Sequence, residues 1–223
     1  MELSAVLLAR AIAFLDINEL NPRGAVFFPK IIPAIVERFS FQVFPSKPED
    51  FDESKGVKFT MGYFDGHSID ELTVFNDGIV LSMRSSTTHA KAVITDTLIW
   101  LAENHGITYN ERTISRWNYV SNLAFSSEVD LDFINPAFAA LVARVGIEMK
   151  GDVRVTGDFH VASISFDVDR TSGVKQLAPF KIERRSKIAF SEGKYFSAAP
   201  LQTDVHISLL EQFEAAIRDQ VTQ

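Results

Sequence analysis

VKFTMGYFDGHSIDELTVFNDGIVLSMR, residues 57–84, decides the fold. Val57, Phe59, Met61 and Tyr63 alternate with Lys58, Thr60 and Gly62, and a period of two marks a strand with one face buried. Asp65-Gly66 then supplies a two-residue hairpin signal, since such turns need positive φ and Asp and Gly reach it most easily. Ile69 to Phe75 reads as the returning strand, with Leu72 and Val74 on one face. A second turn, Asn76-Asp77-Gly78, is expected to place Gly78 at positive φ and to feed a third strand on which Ile79, Leu81 and Met83 share a side. The stretch predicts a three-stranded antiparallel meander.

Beyond it the period changes. Ala90, Val93, Ile94, Thr97, Leu98 and Leu101 fall on one face of a helix over residues 88–105, with Trp100 beside the stripe. Gly106 sits where a left-handed residue ends helices. Trp117, Tyr119, Leu123 and Phe125 alternate along a further strand before Asn135-Pro136 opens a second helix, Asn as cap and Pro where no hydrogen bond is lost. Its stripe, Phe138, Leu141, Val142, Val145 and Met149, is expected to face inward. A third round pairs Ala162, Ile164, Phe166 and Val168 with a strand through Phe180 and Ile182. Asp204 is read as the cap of a last helix, with Leu209, Leu210, Phe213, Ala216 and Ile217 inward.

Strands followed by a helix, three times over, give an α+β fold: a mostly antiparallel sheet built from strand-strand-helix units, with the helices packed on one face. Helix starts near 88, 136 and 204 are unevenly spaced and no residue-level similarity joins the rounds, so the architecture recurs without a sequence repeat. The first 56 residues are less regular. Residues 3–15 are read as a buried helix over the alternative of a central strand, and Pro29 and Pro33 bracket the start of a short helix through Ile35, Val36 and Phe39. PSKPEDFDESKG, residues 45–56, is the best loop in the chain and the place for a sub-boundary in what otherwise reads as a single compact domain over residues 1–223.

Composition sets the functional limits. With 46% hydrophobic and 23% charged residues the chain can bury a core and is not a disordered segment. The 19 Phe outnumber all Tyr and Trp and are read first as core filling, second as the wall of an aromatic ligand pocket. The absence of Cys removes disulfides, thiolate metal sites and a cysteine nucleophile, and points to the cytoplasm. The apolar run MELSAVLLARAIAFLDINEL has an acidic residue where a signal peptide wants positive charge and is interrupted by Arg10, Asp16 and Glu19, so it is read as a buried element rather than a targeting signal or a span, and no membrane association is expected. A formal charge of −7 opposes nucleic acid over most of the surface, although six basic residues from Lys175 to Lys194 form a local exception.

No Walker loop, dinucleotide glycine fingerprint, HExxH or GxSxG occurs, and the five histidines, His67, His89, His105, His160 and His206, show no metal spacing, so neither cofactor nor metal is expected. His67 belongs to an exposed FDGH turn, His105 to a helix C-terminus where a cation is favoured, and His206 to the cap or solvated side of the last helix. Glu128, Asp130 and Asp132 decorate the approach to the second helix.

Two places keep a functional reading. Arg84-Ser85-Ser86-Thr87-Thr88-His89 joins a strand to the best helix, where free N–H groups, hydroxyls and an Arg would cradle a phosphate. Ser and Thr also serve any helix as simple caps. In FKIERRSKIAF, Lys181, Glu183, Arg185 and Lys187 fall on one face as solvated charge. Arg184 falls with Phe180, Ile182 and Ile188, so its buried guanidinium requires either a carboxylate or a ligand. The ligand-binding candidates are therefore Arg84, Ser85, Ser86, Thr87, His89 and Arg184. The expected function is a non-catalytic binding or scaffold protein acting through a protein partner or as a homo-oligomer. The alternative is an enzyme for a small molecule or phosphate ligand, with its site near residues 84–89.

Overall fold

The computed structural model describes residues 1–52, 54–149, 157–169 and 177–221. Its elements are β1 (Glu2–Phe14), α1 (Ile17–Leu20), α2 (Phe28–Phe39), β2 (Val57–Phe64), β3 (His67–Phe75), β4 (Gly78–Met83), α3 (Thr87–His105), β5 (Arg116–Ser126), α4 (Pro136–Met149), β6 (Ser163–Phe166), β7 (Phe180–Arg184), β8 (Lys194–Ala199) and α5 (Thr203–Val221). The fold is α+β, with one eight-stranded sheet in the order β2-β3-β4-β1-β5-β8-β7-β6. The recurrence is twofold rather than threefold: β1-α2-β2-β3-β4-α3 and β5-α4-β6-β7-β8-α5 repeat one order of strand, helix, three-stranded meander and helix.

The chain forms two compact units. The N-terminal unit comprises Val6–Ser121 with Pro200–Thr203; the C-terminal unit comprises Met1–Ala5, Asn122–Ala199 and Asp204–Gln223. Residues 45–56 lie wholly inside the former.

In the N-terminal unit the meander forms as the alternation dictates, β2 against β3 and β3 against β4, both antiparallel. Asp65 and Gly66 both take positive φ, 46° and 81°, as the hairpin requires. Two details differ. The alternation of β2 breaks at Met61, whose φ is +58°. Val57 and Phe59 are fully buried, but Met61 and Tyr63 are exposed and Gly62 turns inward, where a Cβ would lie 2.4 Å from the Phe41 ring. Gly78 has no positive φ; it is small for a different reason, because a Cβ there would meet the Ala13 carbonyl oxygen at 2.6 Å.

β1 overturns the expectation of a helix over residues 3–15. It pairs antiparallel with β4 from Ala9↔Met83 to Phe14↔Gly78. Ala9, Ala11, Ala13 and Leu15 are buried while Arg10, Ile12 and Phe14 between them are only half-buried. Small residues on the inner face hid a period of two inside an apolar run. α2 and α3 cover the same side of this sheet. Ile31, Ile32, Ile35 and Phe39 of α2 and Ala90, Val93, Ile94, Leu98 and Leu101 of α3 join Val57, Phe59, Leu72 and Leu81 in one core. Pro33 lies inside α2 rather than at its start. Gly106 closes α3 with φ +75°.

In the C-terminal unit β7 runs antiparallel to β6 and β8, with Ile164↔Ile182 and Phe166↔Phe180 facing each other. Thr203 already belongs to α5, so Asp204 is a first-turn acid and not the cap. The buried face of α5 is His206, Leu210, Glu214 and Ile217, with Phe213 half-buried; Leu209 is 41% exposed and Ala216 is exposed too. β7 ends at Arg184, and residues 186–188 turn away with Lys187 at φ +65°, so Arg185, Lys187 and Ile188 do not extend the strand.

Candidate functional site

Of the candidate ligand residues, Arg84 to His89 lie in the N-terminal unit and Arg184 in the C-terminal unit. The stretch after β4 builds a tight helix start. Ser86 is the cap of α3, its Oγ accepting the His89 N–H at 3.0 Å. Thr87 and Thr203, both buried, exchange hydrogen bonds: the Thr87 N–H donates to Thr203 Oγ1 at 3.0 Å and the Thr203 N–H to Thr87 Oγ1 at 2.9 Å. Two of the donors a phosphate would use are thus engaged by side-chain oxygens. The exposed Arg84 reaches Asp70 at 3.2 Å, and the His89 ring lies 4.7 Å from the His67 ring of the FDGH turn. Within the run, Ser85 Oγ is buried with no hydrogen-bond partner; elsewhere among the described residues the same holds for Arg38 Nε.

Arg184 occupies the densest polar site. Its Nη2 pairs with Asp130 and lies 3.9 Å from Asp132, and its Nε donates to the Val161 carbonyl at 2.9 Å. The guanidinium stacks over the Phe190 ring at 4.5 Å. Asp132 also accepts from the Val161 N–H at 2.6 Å and contacts His160 Nδ1 at 2.6 Å. Burial works against the charge of Asp132, but that N–H, His160 and Arg184 outweigh it and hold the carboxyl below its usual range. Asp130 and Asp132 therefore do more than decorate the approach to α4. They tie the stem before α4 and the stem after it, at residues 160–162, to the end of β7. Sequence spacing gave no means of choosing these two acids as the partners of Arg184.

His206 corrects another reading. It is fully buried, with Nε2 2.8 Å from Ser197 Oγ and its ring edge-on to Phe180. Ser197 has one hydroxyl proton, which goes to the Lys181 carbonyl at 2.8 Å, so His206 donates from Nε2 and Ser197 accepts. Burial pushes the imidazole down to about 4.

α4 departs furthest from expectation. None of its residues is buried. Phe138, Leu141, Val145 and Ile147 are exposed, Leu141 and Ile147 at 60% each, while Val142 and Met149 are half-buried. Of the stripe expected to face inward, Phe138, Leu141 and Val145 face solvent and no residue is fully buried. The basic strand is equally plain: Lys181 pairs with Glu183 on the solvent side, and Lys175 lies outside the described residues.

Among the described residues no group of three or more His, Asp or Glu is placed to hold a metal ion, and no helix is long and apolar enough to cross a membrane. The chain matches no protein-family model, and no curated protein is significantly similar to it.

Proposed function

We propose that this is a binding or scaffold protein that works without catalysis, and that α4 docks it to a second copy of the same chain. The observation that carries the reading is the exposure of α4. Apart from Arg144 and Glu148 the helix is composed of apolar and small residues on every side, and a helix apolar all round is ordinarily buried. In the N-terminal unit the helix at the same place in the order, α2, buries Ile31, Ile32, Ile35 and Phe39; among the described residues α4 buries none of its side chains. A second copy suits it because Arg144 and Glu148 compensate each other, 3.6 Å apart. In a chain of net charge −7, α4 is a surface where two copies approach without repulsion, and two-fold self-association is the commonest oligomer.

Sedimentation equilibrium tests it. The protein should have twice the mass of the 24.9 kDa chain, and Leu141→Asp with Ile147→Asp should return it to one chain without lowering its melting temperature, since neither side chain supports the monomer. A wild-type monomer at every concentration, or a dimer indifferent to both changes, contradicts the reading.

The alternative, an enzyme for a small molecule or phosphate ligand at Arg84 to His89, retains one observation in its favour, the unpartnered Ser85 hydroxyl. If the run is a cap, Ser86→Ala costs about 1 kcal/mol and phosphate leaves the melting temperature unchanged. A phosphate-bearing ligand at a hundredfold excess over its Kd that stabilises the wild type by about 2.7 kcal/mol, and fails to stabilise Arg84→Ala, would promote the enzyme or ligand-binding reading over the scaffold.

A further inference from the structure

The N-terminal unit is not filled to its centre. A cavity of about 270 Å³ lies between α2, α3 and the β3–β4 side of the sheet, with the chain from α1 to α2 at its mouth. Its wall includes Ile31, Ile35, Leu72, Ile79, Leu98 and Leu101. Around it Leu72, Val74, Ile79 and Leu101 retain 5 to 8% exposure, while Ile94 and Leu98 on the same wall retain 1%. Protein interiors pack to crystal density and rarely leave voids much larger than a water. An apolar space of this size is where a ligand is first to be sought.

We infer that this cavity binds the aliphatic chain of a small lipophilic molecule. The chemistry of the wall selects that class. No charged side chain lines it, and all three of its polar side chains are engaged: Asn21 Nδ2 donates to the Val26 carbonyl at 2.7 Å while its Oδ1 accepts the Val26 N–H at 3.1 Å, Thr97 Oγ1 donates to the Val93 carbonyl at 2.6 Å, and Asn18 Nδ2 donates to Asp16 Oδ1 at 2.9 Å. A polar ligand body would lose its hydration inside and gain nothing in return. Water is disfavoured for the same reason, since a buried water needs two to four polar partners. Asn18, the third, and Gly24 are exposed and mark the mouth, so a hydroxyl or carboxyl head stays there in solvent. A cavity of about 150 Å³ accommodates benzene; scaled by volume, this one takes a chain of about ten carbons. The apolar side chains of the wall are aliphatic apart from Phe28, so the abundant phenylalanines do not make an aromatic pocket here.

The test titrates the full chain with 1-decanol, following the melting temperature and the heat of binding, with 1,6-hexanediol as a chain polar at both ends. Decanol should bind once per chain and raise the melting temperature by about 5 °C or more at a hundredfold excess over its Kd, while the diol does nothing. Leu101→Phe and Val74→Phe each push a ring into the space from a different wall. They should melt no lower than the wild type and bind decanol at least tenfold more weakly. Absence of a saturable shift in the wild type, or undiminished binding in a folded filling variant, overturns the inference. Failure of both variants to fold would mean that the core is already full, and overturns it equally.

Discussion

A Cβ on Gly78 would sit 2.6 Å from the Ala13 carbonyl oxygen, on the strand that pairs with it. Backbone cannot move aside as a flexible side chain can, so Gly78→Val should part β1 from β4 and cost about 1–3 kcal/mol, read as a lower urea midpoint; an unchanged midpoint would mean the strands do not approach this closely. His206 gives the pH dependence at the same scale. Its folded pKa of about 4 lies below the ordinary 6.5 because the ring is buried. Between those values the unfolded chain holds a proton that the folded chain lacks, so stability falls as pH drops from about 6.5 to about 4 and is untouched above that window. The loss from this group is of order 3 kcal/mol. Urea melts from pH 7 to pH 4 should show it in the wild type and show that much less in His206→Leu; identical slopes would remove His206 as the acid-sensitive group.

At the scale of elements, what the sequence revealed depended on whether one face alone carried the pattern. The meander of β2, β3 and β4 was legible because large apolar residues alternate with polar ones and Asp65-Gly66 has one preferred conformation. α3 was legible from its stripe, the polar Ser/Thr run before it and Gly106. β1 was not, because its inner positions are alanines and its outer positions include Ile12 and Phe14, so both faces read as apolar. The reversal at Met61 was hidden as well: a positive φ on a non-glycine residue carries no sequence mark. α4 fails in the opposite way. Its stripe was read correctly as apolar and wrongly as buried, because periodicity reports that a face seeks cover and not whether the same chain provides it. Of the candidate site, a capping role for the Ser/Thr run was readable from residue type, while the choice of Ser86 as the cap and the exchange between Thr87 and Thr203, 116 residues apart in sequence, were not. Arg184 announced its need for a partner through its place among Phe180 and Ile182, but only the fold chose Asp130 and Asp132.

At the scale of the molecule, one order of elements occurs twice with different outcomes. In one occurrence the helix after the first strand completes a core and encloses a cavity; in the other, the stems of that helix are held by the Arg184 cluster and its apolar surface is left to solvent. The account rests on that surface being covered by a second copy. Hydrogen–deuterium exchange measured across a dilution series tests it most directly, because it reports on α4 itself. The backbone amides of residues 140–149 should exchange slowly at high protein concentration and progressively faster on dilution, while those of α3 keep one rate throughout. Rapid exchange over α4 at every concentration would contradict the account.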